Sequence, residues 1–149
     1  MIHLKTDAEI EILRENNILV SRALAEVGKH IRPGITTREL DRIAEDFIRA
    51  NGAEPAFLGY QGYPASACIS VNEQVVHGIP GDRVIEEGDI VSVDLGTFLK
   101  GFVGDSAYTF AVGEVSAEAR KLLEVTKEAL YKGTAQAKVG NRVGDISAA

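Results

Sequence analysis

The chain has 149 residues, 45% of them apolar and 26% charged, with a formal net charge of −6. That length supports one compact domain with a real core, and the acidic balance argues against a surface for nucleic-acid phosphates. The one cysteine, Cys68, excludes an intrachain disulfide, and no uncharged run approaches the roughly 18 residues of a membrane span, so a cytoplasmic protein is expected.

Thr6 and Glu9 form the Thr-x-x-Glu pattern of a capping box, which predicts a helix over 7–31. Ile10, Leu13, Val20, Leu24, Val27 and Ile31 keep helical spacing along it. The Arg32-Pro33-Gly34 stretch ends it. Thr36 and Glu39 repeat the box and open a second helix over 37–50, with Leu40, Ile43 and Phe47 facing the core. Asn51-Gly52 stops that helix.

Beyond 52 the grammar changes. Residues 57–64, FLGYQGYP, form a Gly/Tyr/Pro loop, and ASACISV, 65–71, reads as a strand. NEQVVHGIPGD, 72–82, mixes apolar residues with turn formers, and 83–89 is a polar connection. A hairpin is predicted over 90–112. Ser116 then caps a third helix over 117–137, which carries Leu122, Leu123, Val125 and Leu130. The last twelve residues echo 32–43 at a spacing of 106 positions: a basic residue, a Gly two later, then an acid followed by Ile or Leu at a helix start. A second, related half is therefore expected to begin near 138, with the chain stopping inside its first helix.

The hairpin holds the chemistry. Asp is among the poorest strand formers, yet Asp94 and Asp105 stand eleven residues apart in it. Side chains alternate faces, so any two-residue loop puts both carboxylates on one face. A Leu99-Lys100 loop sets Asp94 directly opposite Asp105. A Lys100-Gly101 loop sets Asp105 opposite Gly96. One face carries Val91, Val93, Leu95, Phe102, Tyr108, Phe110 and Val112 and reads as core. The other carries Ser92, Asp94, Gly96, Asp105, Ala107 and Thr109, and the first arrangement is the expected one. Carboxylates that close repel, and one stays protonated unless a cation sits between them. The residues alone leave two readings open, a divalent-metal pair or two solvent-facing acids near a turn. Taken alone, His77 before Gly-Ile-Pro reads as a turn residue, Tyr60 and Tyr63 as packing, and Cys68 as a small buried hydrophobe.

GYQGYPASACISVNEQVVHGIP, followed by GDIVSVDLGTFLKGFVGDSAYTF, closely resembles the type I methionine aminopeptidases, and the likeness runs the whole length. The resemblance implies an α+β pita-bread fold, of which 1–149 is expected to be a single domain forming the N-terminal half, with long helices on one face of an antiparallel sheet. It implies hydrolytic removal of the initiator methionine from nascent chains by a pair of divalent ions, Co, Mn, Fe or Zn, that activate a bridging water. Asp94 matches one metal ligand and Asp105 the ligand that bridges both metals. His77 matches a catalytic histidine that contacts substrate at the scissile bond. Tyr60, Tyr63 and Cys68 match the pocket for the methionine side chain, and Phe57 stands where another pocket residue is expected. A Thr often stands two residues after the first Asp of the family, where this chain has Gly96, and Thr97 is not given its role.

The family's other ligands, a His and two Glu, and a second substrate His belong to the second half, and His3, His30 and His77 match none of them. The 149 residues are therefore expected to be inactive alone, to hold metal weakly or not at all, and to self-associate through exposed apolar surface. The complete enzyme is expected to be a monomer. The alternatives are a non-enzymatic binding module of the same fold and a proline-specific dipeptidase.

Overall fold

The computed structural model describes residues 3–149. It divides into two compact units, Met1–Glu114 and Val115–Ala149.

In the first unit, helix α1 spans Asp7–His30 and helix α2 spans Thr37–Ala50. Both start where the capping boxes predict. At α1 the Thr6 hydroxyl accepts the Glu9 N–H at 3.3 Å, while the Glu9 carboxylate accepts the Thr6 N–H at 2.7 Å. Thr36 and Glu39 repeat the exchange at α2. These reciprocal bonds satisfy donors that a helix start leaves free, which fixes both boundaries.

Strands β1 (Glu54–Pro55), β2 (Ala67–Val71), β3 (Ile90–Leu99) and β4 (Phe102–Ala111) form one antiparallel sheet. β3 is its middle strand. β4 lies along one side of it, and β2 and β1 lie end to end along the other. The two-residue β1 was not expected from the sequence. Its Pro55 can donate no ladder bond, which suits a short edge strand.

The core lies between the two helices and one face of this sheet. Val20, Val27, Leu40, Ala44 and Ile48 meet Ala67, Ile69, Val71, Val91, Val93 and Leu95. Fully burying each Val, Leu or Ile is worth roughly 1.5–3 kcal/mol, so this layer carries the unit's stability. The expected apolar positions hold with shifts of detail. Ile10 is exposed, Ile43 and Phe47 are only partly buried, and Leu19, Ala23 and a polar residue, Asn16, take buried places on α1. Tyr108 stands on the core face but is half exposed, its ring 4.9 Å from that of Phe110.

The second unit holds helices α3 (Ala117–Thr134) and α4 (Val143–Ala148). The Ser116 hydroxyl caps α3 by accepting the Ala119 N–H. α3 ends three residues earlier than expected. Its last residues, Gly133 and Thr134, are weak helix formers, and 135–137 continue as tighter turns. The echo of 32–43 in 138–149 has a local structural counterpart. Gly34 and Gly140 both adopt positive φ, 92° and 97°. Asp145 accepts the Arg142 N–H at the start of α4, as Glu39 accepts that of Thr36.

Candidate functional site

The hairpin turns through Lys100-Gly101, with φ of 51° and 85°. Two successive residues at positive φ make the type I′ turn that suits the twist of a tight hairpin. A turn through Leu99-Lys100 would have forced a bulky Leu into that region, whereas Gly101 enters it freely. The register that follows places Asp94 opposite Ala107 and Gly96 opposite Asp105. The expected direct pairing of the two aspartates is therefore replaced by a diagonal one. They remain on the same face, within side-chain reach across the ladder.

Their surroundings are asymmetric. Asp94 is half-buried and Asp105 exposed. Burial pushes the Asp94 carboxyl above the ordinary carboxylate range, and the charge and hydrogen-bonding reach of Asp105 push it further, while His77 pulls it down. Asp94 Oδ1 is buried and has no hydrogen-bond partner among the described residues. An unpaired buried acceptor is rare and costly.

Cys68 lies directly across from Asp94 on β2. Burial pushes its thiol up, and the charges of Asp94, Asp105 and Asp41 add to that, so it stays an uncharged, polarisable side chain. Tyr63 stands beside it. The Tyr63 hydroxyl lies 3.1 Å from the Ala67 carbonyl and 3.2 Å from that of Gly78, and burial holds it protonated far above neutral pH. Phe57 packs over Gly96. A Cβ at residue 96 would come 2.5 Å from the Phe57 ring and 3.0 Å from the Ala56 Cβ, so glycine is what lets that ring lie on the strand opposite Asp105. His77 is exposed, at a φ of 58°. Tyr60 alone stands apart. It is 66% exposed on a short 3₁₀ turn, and its hydroxyl accepts only from the neighbouring Gln61 amide.

Thr97 points the other way. Its hydroxyl bonds Asn16 Oδ1 in the core, and Asn16 Nδ2 donates to the carbonyls of Thr97 and Phe102 at 3.2 and 2.8 Å. That satisfied network is structural, and Gly96 is the residue on the carboxylate face.

Two acids of α2 went unnoticed in the sequence. Asp41 Oδ1 accepts the N–H groups of Ser66 and Ala67 at 3.0 and 2.8 Å, and Glu45 accepts the Ser66 hydroxyl at 3.0 Å. They fix the start of β2, and with it Cys68. Their i, i+4 spacing beside the buried Ala44 and Ile48 was the available signal.

The donor set fits a hard or borderline divalent cation: two carboxylates on one face, small residues opposite each, and an orphaned oxygen. It is a partial set, since among the described residues no three His, Cys, Asp or Glu side chains converge on a common point.

Comparison with known proteins gives this geometry a setting. The model of a metallopeptidase family, M24, matches residues 11–149. Methionine aminopeptidase 1 of Bacillus subtilis is 54% identical over 147 residues, covering 99% of this chain and 59% of the relative. The crystal structure of methionine aminopeptidase from Thermotoga maritima superposes with a TM-score of 0.95 at 43% identity, covering 99% of this chain and 59% of that one. A prolidase from Pyrococcus furiosus superposes with a TM-score of 0.85 at 28% identity, covering 96% and 41%. The chain thus spans a little under three fifths of the aminopeptidase relatives' length.

Proposed function

The chain belongs to metallopeptidase family M24 and has its α+β pita-bread fold, and on that premise we propose that it serves metal-dependent removal of the N-terminal methionine from nascent polypeptides. The observation that carries this reading is the orphaned Asp94 oxygen beside Asp105, in a chain more than half identical to a methionine aminopeptidase. The lower likeness to prolidase, 28% identity, supports the aminopeptidase reading over the dipeptidase one.

Asp94 and Asp105 would hold the divalent metal. When bound, such ions act as Lewis acids and lower the pKa of water to near neutrality. The residues of this chain have their own tasks. His77, exposed beside the carboxylates, can donate a hydrogen bond to the scissile amide or to oxygen as it gains charge. Cys68, Tyr63 and Phe57 offer a soft, largely apolar lining suited to a thioether side chain. Tyr60, out on the surface, would join that lining only at its rim. Two carboxylates are too few to hold a divalent ion firmly, so the remaining ligands would come from sequence outside these 149 residues, and the 149 residues alone would release no methionine. No described helix is long and apolar enough to cross a membrane, and the reading places the activity in the cytoplasm, where nascent chains are made.

The test is methionine release from a Met-Ala-led peptide with Mn²⁺ or Co²⁺ and a chelator control. The protein at its relatives' length should be active and chelator-sensitive, and Asp94→Asn or His77→Ala should lower kcat at least a hundredfold, in the range expected for losing a group that acts on the transition state, roughly 10²–10³. Full activity of both variants would overturn the assignment.

A further inference from the structure

His77 is not a glycine, yet it holds a φ of 58°. A left-handed residue of this kind persists only where its surroundings over-determine it. Those surroundings are visible at the next residue. The Gly78 N–H donates to Ser70 Oγ at 3.1 Å. The Gly78 carbonyl accepts the Ile69 N–H at 2.9 Å and faces the Tyr63 hydroxyl at 3.2 Å. Ser70 is buried, 3% exposed, on the same face of β2 as Cys68. The approach is so close that a Cβ at residue 78 would collide with the Ile69 carbonyl oxygen and come within 3.0 Å of Ser70 Cα. Both polar groups of one peptide segment are thus fastened to the edge of β2, and the residue just before them is the strained histidine.

We infer that Tyr63 and Ser70 are positioning residues for His77: together they clamp Gly78 from its two sides and so present the imidazole over the carboxylate face in one fixed direction. This rests on the reading of His77 as the group that meets substrate. It gives Tyr63 a second task beyond lining a pocket. The ring serves the lining, while the hydroxyl serves the histidine one residue before Gly78. The hydroxyl is shared between two carbonyls, at Ala67 and Gly78, so it also ties the clamp to the start of β2, which Asp41 holds from helix α2.

Tyr63→Phe and Ser70→Ala separate these tasks, because the first keeps the ring and the second leaves the pocket untouched. Amide hydrogen exchange on the 149-residue chain reads the clamp directly, with the Val93 amide in the middle strand as the reference for global opening. In the unaltered chain the Ile69 and Gly78 amides should be protected, and His77 should give the strong intraresidue amide–α-proton NOE of a left-handed residue. Fast exchange at both amides there overturns the clamp before any substitution is made. Tyr63→Phe should speed exchange at Ile69, and Ser70→Ala at Gly78, each about tenfold relative to Val93, the loss of one hydrogen bond. Unchanged exchange at both overturns it. In the protein at its relatives' length, Tyr63→Phe should lower kcat for methionine release about tenfold with KM held, as a misdirected group does. A rise in KM at constant kcat would return the hydroxyl to pocket lining. If His77→Ala is fully active, the functional reading falls while the exchange data still decide the clamp.

Discussion

Side chains alternate along β3, so Val93 and Leu95 enter the core while Asp94, between them, faces the other way. The two faces of this hairpin differ in completeness. On the core face Asn16 of α1 serves two carbonyls and the Thr97 hydroxyl at once. On the opposite face Asp94 Oδ1 is buried without a partner among the described residues, and its neighbour is another acid. A buried face closed on itself supports stability. A face left electrostatically unfinished costs stability, and on the proposed function that cost serves binding.

Substitutions can break or sharpen that contrast. The largest effect should come from Leu95→Ala, which empties a fully buried site and should cost about 2–5 kcal/mol in urea unfolding. Asp94→Ala, one residue away, should cost far less in the metal-free chain, because it removes a strained carboxylate. Equal losses at the two positions would erase the distinction between the faces. Asn16→Ala should cost about 1–3 kcal/mol by orphaning the Thr97 hydroxyl and two carbonyls, measured by the same unfolding curves. Gly96→Ala should cost about 1–3 kcal/mol as its methyl meets Phe57, with the displaced ring seen as shifted Phe57 resonances.

The smallest effect concerns pH. Burial raises the Asp41 carboxyl above its ordinary value of 3.8, despite the two N–H groups it accepts. The folded chain then binds that proton more tightly than the unfolded chain. The contribution of Asp41 to stability is therefore largest at low pH and declines as pH rises from 3.8 through the raised value. Asp41→Asn keeps the accepting oxygen and removes the charge. It should flatten that decline and leave the chain slightly more stable at pH 7, as read from urea midpoints across pH 4 to 7.

Much of this was legible in the chain. Thr6/Glu9 and Thr36/Glu39 announce their helices because capping is local chemistry. The shared face of Asp94 and Asp105 follows from parity for any two-residue turn. The motifs around Tyr63, His77 and the hairpin carried the family resemblance, which the family match and the superposed structures bear out. Register was harder, since it turned on whether Leu99 or Gly101 takes positive φ. Asn16 and Asp41 escaped because a place on a helix, even with the i, i+4 spacing of Asp41 and Glu45, does not name the partner that tertiary packing brings from 25 to 86 positions away. The strain at His77 was equally hidden, being imposed by Tyr63 and Ser70 through backbone groups that no side-chain pattern records.

The central claim is that the unfinished face exists to hold a divalent cation. The most direct measurement is calorimetric titration of Mn²⁺ into the metal-free 149-residue chain, set beside its Asp94→Asn and Asp105→Asn variants, with each unfolding midpoint recorded. Weak binding that either substitution abolishes, with midpoints of the metal-free variants at or above that of the unaltered chain, is the predicted result. Binding of equal strength in all three proteins, or metal-free variants that unfold well below the unaltered chain, would contradict it.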